Sequence, residues 1–179
     1  MFPNITSKRL QYRQLAADDW RFFLSLQQDE RVMRYVADPQ PEDEIRRDRF
    51  EIRLPRWQKG SAHWLCLVII EKGHSAPLGL TGLIDRGAGI AEVGFLLAAE
   101  AQGKGLGSES LHDIARYALN ELGFRKLIAT VTAGNEASRR TLLKVGFQQE
   151  GTLRKSYHLA GEWRDDWVFG LFADEWRPL

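Results

Sequence analysis

Between residues 102 and 108 the chain reads Gln102-Gly103-Lys104-Gly105-Leu106-Gly107-Ser108, with glycines at alternate positions just ahead of its clearest amphipathic helix. Glycines let successive backbone amides turn inward without obstruction by side chains. The helix start adds free N–H groups and the positive end of a dipole. A diphosphate is the natural guest, and an ordinary Gly-rich strand-to-helix turn is the competing reading. Two other phosphate loops are excluded by spacing. Lys104 is followed by Gly105 rather than Ser or Thr, and Gly103, Gly105 and Gly107 do not fit G-x-G-x-x-G.

The loop sits inside a regular alternation of elements. Leu111, Ile114, Ala115, Ala118, Leu119 and Leu122 recur at helical spacing, and Gly123 closes that helix. Upstream, residues 10–14 alternate as a first strand. Asp18 and Asp19 then open a helix carrying Trp20, Phe23 and Leu24. Residues 42–59 predict a second helix with five arginines, which Pro55 ends or kinks. Residues 63–71 are apolar on both faces and belong inside a sheet. Residues 78–85 and 91–97 follow after short Gly-containing turns, an antiparallel meander. Downstream come a strand over 126–132, a helix from Asn135 to Gly146 and strands over 147–157 and 163–172. The order predicts one mixed α/β domain over residues 1–179.

Other classes find little support. The formal net charge is +1, with basic residues in pairs rather than runs, so neither nucleic acid nor an anionic membrane is an expected partner. Cys66 is the sole cysteine and lies in an apolar run, where a buried thiol is expected rather than a nucleophile or half of a disulfide. The start Met1-Phe2-Pro3-Asn4-Ile5 lacks a charged leader and an apolar core, and a cytoplasmic location is expected. His63, His74, His112 and His158 are scattered, and no metal is expected. No G-x-S-x-G or H-E-x-x-H motif occurs.

Gln102, Gly105 and Gly107 spell Gln-x-x-Gly-x-Gly, which resembles the pyrophosphate loop of the GNAT superfamily of N-acetyltransferases. Gly134-Asn135-Glu136-Ala137-Ser138 followed by Lys144-Val145-Gly146-Phe147 resembles its second signature. Glu150-Gly151, Leu153-Arg154, Gly161 and Asp165, with Thr6 to Leu10 and Glu175-Trp176, resemble the branch that acetylates ribosomal-protein N-termini. The resemblance implies a mostly antiparallel central sheet of six or seven strands with about four helices. It implies a splayed strand pair that admits the pantetheine arm of acetyl-CoA. The implied cofactor residues are the backbone of Phe95, Leu96 and Leu97, the loop Gln102, Gly103, Lys104, Gly105, Leu106, Gly107 and Ser108, then Asn135 and Arg140. By residue type alone, Phe95 and Leu97 are core side chains and Asn135 is a helix cap.

One departure bears on mechanism. Many superfamily members carry a tyrosine seven residues after this asparagine, and this chain has Leu142 there. Ser138 is then the candidate proton donor to the leaving thiolate, and Glu92 the candidate acceptor of the amine proton through water. A packed helix serine and a solvated strand carboxylate are their structural alternatives. The resemblance implies acetyl transfer to a protein or peptide α-amine within a monomer or homodimer. A small amine acceptor, or an acetyl-CoA-binding module without catalysis, is the alternative. The arginines between 46 and 56, with Trp20 and Trp57, suggest an acidic or aromatic acceptor or a solvated helix face.

Overall fold

The computed structural model describes residues 4–179; Met1, Phe2 and Pro3, part of the start read above, lie outside the described residues. The strands are β1 (Leu10–Gln14), β2 (Leu65–Glu71), β3 (Pro77–Asp85), β4 (Ile90–Leu97), β5 (Lys126–Thr132), β6 (Gln148–Leu159) and β7 (Glu162–Phe172). They form one sheet in the order β1-β2-β3-β4-β5-β7-β6. Every neighbouring pair is antiparallel except β4–β5. Among the described residues five α-helices accompany it: α1 (Trp20–Gln28), α2 (Glu30–Met33), α3 (Glu42–Ile45), α4 (Leu106–Arg116) and α5 (Glu136–Val145). The count exceeds the expected four because α2 and α3 are single turns.

β2 is apolar and buried from Leu65 to Ile70 because both faces are covered there. Leu65 and Leu67 join the core beneath α4 and α5, with Leu83, Val93, Leu127 and Leu142. Cys66, Val68 and Ile70 join the opposite core, with Phe23 and Leu26 from α1, Ile45 from α3 and Phe50 just beyond it. Period-two alternation thus sorts one strand between two cores.

The long helix expected over 42–59 is shorter and irregular. α3 continues as a π-type turn (Arg46–Phe50) and a 3₁₀ turn (Glu51–Arg53), then stops at Leu54 before Pro55. The proline cannot supply the amide a further turn needs. At the other end of the chain, α5 closes on Gly146 at φ 114°, a left-handed cap that favours glycine.

Candidate active site

β4 and β5 pair only through Ile90–Lys126, Ala91–Leu127 and Glu92–Ile128. Beyond Glu92 they diverge, each held by its outer neighbour. β3 pairs β4 up to Leu97, and β7 pairs β5 up to Thr132. Antiparallel partners alternate between hydrogen-bonded and non-bonded pairs. The Ala98 amide donates to Leu78 O at 2.9 Å, so Leu96 with Leu80 and Gly94 with Gly82 are bonded pairs too. Phe95 and Leu97 therefore turn their N–H and C=O groups toward the notch between β4 and β5. Leu96, grouped with them from sequence, spends its backbone on β3, and its side chain lines the cavity instead. Phe95, Leu96 and Leu97 are each half-buried rather than core-buried, because the open notch borders them.

The loop begins where β4 ends. Gln102 donates its side-chain amide to Leu97 O at 3.1 Å, tying loop to strand. Gly103 and Gly105 both stand at φ 77°, the left-handed region, and Gly105 is the N-cap of α4. The amides of Gly103 to Ser108 meet no protein acceptor among the described residues, so six consecutive N–H groups are free to donate outward. Lys104 is exposed beside them, whereas Leu106 is buried against Leu10, Ile69 and Ala101 and Ser108 is buried as well. Gly107 permits close approach: a Cβ there would stand 3.3 Å from Leu97 Cδ1 and 3.9 Å from Thr141 on α5.

Arg9 clamps this loop from a hundred residues away. Its backbone amide and Nε each donate to Glu109 at 2.7 Å, and Nη1 donates to Lys104 O at 3.1 Å. The Arg9 guanidinium thus reaches the loop as an ion pair with Glu109.

The start of α5 forms the far wall. The Asn135 side chain accepts from the Ser138 amide at 3.4 Å, the cap that its residue type suggests. Asn135 and Ser138 both line the cavity. Leu142 lines it too but is fully buried in the core, so the tyrosine position serves packing here. Arg139 is engaged with Glu136, Gln149 and the Trp167 ring. Arg140 is exposed and has no carboxylate partner within 4.0 Å among the described residues.

Through the notch runs a cavity of about 500 Å³ that reaches both faces of the sheet. Glu92 stands in its wall at the last paired position before the strands part. Arg86 Nε donates to Glu92 Oε2 at 2.7 Å, and Oε1 has no hydrogen-bond partner among the described residues. Cys66 lines the same cavity, where burial pushes its thiol up to about 12; it is no thiolate nucleophile at neutral pH.

Sequence reasoning did not single out three further residues of this wall. Tyr35 lies against Gly134, 3.2 Å from where a Cβ would stand, and its hydroxyl has no partner among the described residues. Tyr157 donates to Val36 O at 2.7 Å and pins β6 to the segment after α2. Asp166, beside Thr132 on β7, is held above the usual carboxylate range, chiefly by burial. Only chain reversal over long separations brings these groups together, so no local periodicity announces them. Trp20 and Trp57, by contrast, are absent from the cavity wall. Trp20 packs on Phe23, Phe50 and Arg46, and Trp57 donates to His63 O. The aromatic-acceptor expectation loses its support.

The notch, the free-amide loop and the helix behind it coincide with a family pattern. The model of the Acetyltransferase (GNAT) domain matches residues 9–148. The chain is 25% identical over 178 residues to the N-acetyltransferase YnaD of Bacillus subtilis, covering 97% of this chain and 99% of that protein. It is 29% identical over 86 residues to the ribosomal protein uS5-alanine N-acetyltransferase of Escherichia coli, covering 48% and 44% of the two chains. Spermidine N-acetyltransferase from Vibrio cholerae, solved with CoA and spermine, superposes with a TM-score of 0.78 at 22% identity, covering 93% of this chain and 97% of that one. The chain belongs to the GNAT family and is an N-acetyltransferase, in a family whose acetyl donor is acetyl-CoA.

Proposed function

We propose that this chain transfers acetyl from acetyl-CoA to the α-amine of a peptide or protein N-terminus by direct transfer within a ternary complex. The observation that carries the donor half is the continuity of β4, the free-amide loop and α4. The amides of Gly103 to Ser108 suit a diphosphate, and the exposed Lys104 supplies charge beside it. The outward backbone groups of Phe95 and Leu97 suit the amides of a pantetheine arm, as an added strand would. Acetyl-CoA, when bound, supplies an activated acyl group on a thiol leaving group.

The chain's own residues then handle protons. Glu92 Oε1 holds a water that takes the proton of the attacking amine, while Arg86 fixes the other oxygen. Ser138, one turn into α5, donates toward the departing sulfur. A thiol with a pKa of roughly 8.5 leaves readily, so this donor assists rather than decides. Burial of Cys66 argues against an acyl-enzyme.

The α-amine acceptor is supported by the likeness to the uS5-alanine N-acetyltransferase and by a cavity that opens toward α1–α3 with room for a chain end. The likeness to a spermidine enzyme is one of fold. The test compares kcat/KM for short peptides with free N-termini against spermidine, with intersecting initial-velocity lines expected. A strong preference for the polyamine overturns the acceptor assignment, and parallel lines overturn direct transfer. The chemistry requires acetyl-CoA, which suits the cytoplasm.

A further inference from the structure

Two guanidiniums in the cavity wall have no part in the chemistry above. Arg49 and Arg53 stand four residues apart on the turns that continue α3, and both line the cavity. Their neighbours on the outer surface are paired, Arg46 with Glu51 and Arg47 with Asp48. Arg49 and Arg53 have no carboxylate within 4.0 Å among the described residues. Arg49 Nη1 donates to Gln27 Oε1 at 2.7 Å, and Arg53 Nη1 donates to the carbonyl oxygen of Arg49. These bonds aim the side chains and leave the charges uncompensated.

Such an arrangement works against folding. Like charges at this helical spacing repel. Burial also disfavours the charged form of Arg53. An arginine does not escape by losing its proton near neutral pH. The π-type turn that carries Arg49 is a form frequent at functional sites, although a second one, at Tyr117–Glu121, lies away from this cavity. A planar guanidinium with free donors facing a cavity is matched by a carboxylate, which it grips through parallel bonds.

The route from this cation pair to the notch is short and floored by small residues. Cys66, which lines the cavity with Arg53, pairs with Gly82, and Gly82 pairs with Gly94 at the edge of the notch. The Trp64 ring walls the route, 3.2 Å from where a Cβ on Gly94 would stand. Two strand spacings make about 10 Å. An extended peptide covers that in roughly three residues.

We propose that Arg53, supported by Arg49, anchors a carboxylate on the acceptor, so that the preferred substrate is a peptide N-terminus with an acidic side chain within its first three residues. This rests on the α-amine reading above and narrows it. A free α-amino acid carries its carboxylate too close to the amine to span the route. A polyamine would bring further cations to an uncompensated cation pair.

The test uses the full chain, acetyl-CoA and C-terminally amidated tetrapeptides that differ only by Glu, Gln or Lys at the second or third position. The Glu peptides are expected to exceed their Gln counterparts in kcat/KM by about 10- to 100-fold, mainly through KM, as for charge-assisted hydrogen bonds. Lys peptides should rank lowest. Added salt should shrink the Glu preference. Arg53→Gln should bring the Glu/Gln ratio close to one, and Arg53→Lys should keep part of it; melting shifts with CoA verify that the variants fold. Equal turnover of Glu and Gln peptides by the wild-type chain refutes the anchor while leaving the α-amine assignment standing. A ratio that survives in the Arg49→Gln, Arg53→Gln double variant also refutes the anchor. Turnover of spermidine with none of any peptide refutes both.

Discussion

Replacing Gly105 with alanine tests the amide cradle with a single methyl group. Space is not the obstacle, since a Cβ at this position meets only Arg9 Nη2 at 3.4 Å. The obstacle is φ 77° with ψ 4°, where an L-residue is disfavoured by about 1–2 kcal/mol. The loop relieves that strain by rotating the peptide units on either side of residue 105, which turns amides away from a common focus. Losing two charge-assisted bonds at about 1.5 kcal/mol each weakens CoA by about 3 kcal/mol, on the order of 10²-fold. At a CoA concentration a hundred times the wild-type Kd, ligand stabilisation should fall from about 2.7 to about 0.4 kcal/mol. Titration calorimetry and CoA-dependent melting measure both quantities. Gly60→Ala is the control: Gly60 has φ 93°, nothing within 4 Å of a Cβ, and lies by Asp85 at the opposite end of the sheet. It should lose similar stability and keep its CoA affinity. Wild-type affinity in Gly105→Ala, or equal CoA losses in both variants, would refute the reasoning.

Ser138→Ala should lower kcat on the order of 10²-fold if Ser138 is the acid, with CoA affinity retained; full kcat with chemistry rate-limiting would return Ser138 to a structural role and make Tyr35→Phe the next variant to assay. Asp19 is held below the usual carboxylate range, chiefly by its two hydrogen bonds from Arg13 and against the effect of burial. A depressed folded value contributes stability above the unfolded pKa of roughly 3.9, and that contribution fades as pH falls through the folded value. The melting difference between wild type and Asp19→Asn should therefore be widest near neutral pH and shrink in acid; a constant difference would contradict the linkage. Tyr12 donates to the buried Asp113 at 2.6 Å, so Tyr12→Phe should cost about 1–3 kcal/mol in denaturant unfolding while CoA affinity holds.

Local pattern carried much of the fold. The strand over 126–132 has the expected bounds, and β2 is covered on both faces as its two-sided apolarity requires. The loop was legible as a left-handed turn into a helix, because alternating glycines mark one, and Gly103 and Gly105 both stand at positive φ. The residues that shape the acceptor side were less so. Regular helical spacing over 42–59 could not reveal the π-type turn that sets Arg49 and Arg53 on the cavity wall while Arg46 and Arg47 pair outside. Arg9 stood in the sequence as part of an opening motif; its bond to the Lys104 carbonyl spans 95 positions, which no local window reports. Leu142 showed that the usual tyrosine was missing, but only packing shows that its replacement is a core residue.

The three-pair junction of β4 and β5 also has a mechanical meaning. The sheet consists of two stiff leaves, a four-stranded one and a three-stranded one, on a hinge of only Ile90 to Glu92. Past that hinge, Phe95 and Leu97 present an open strand edge in the middle of the molecule, the kind of edge that natural sheets ordinarily shield. A donor bound in the notch as proposed would be a cross-brace as well as a reactant, bonding to one leaf and covering the open edge. Opening motions that separate the leaves, and amide exchange along the far half of β4, should slow together when the brace is in place.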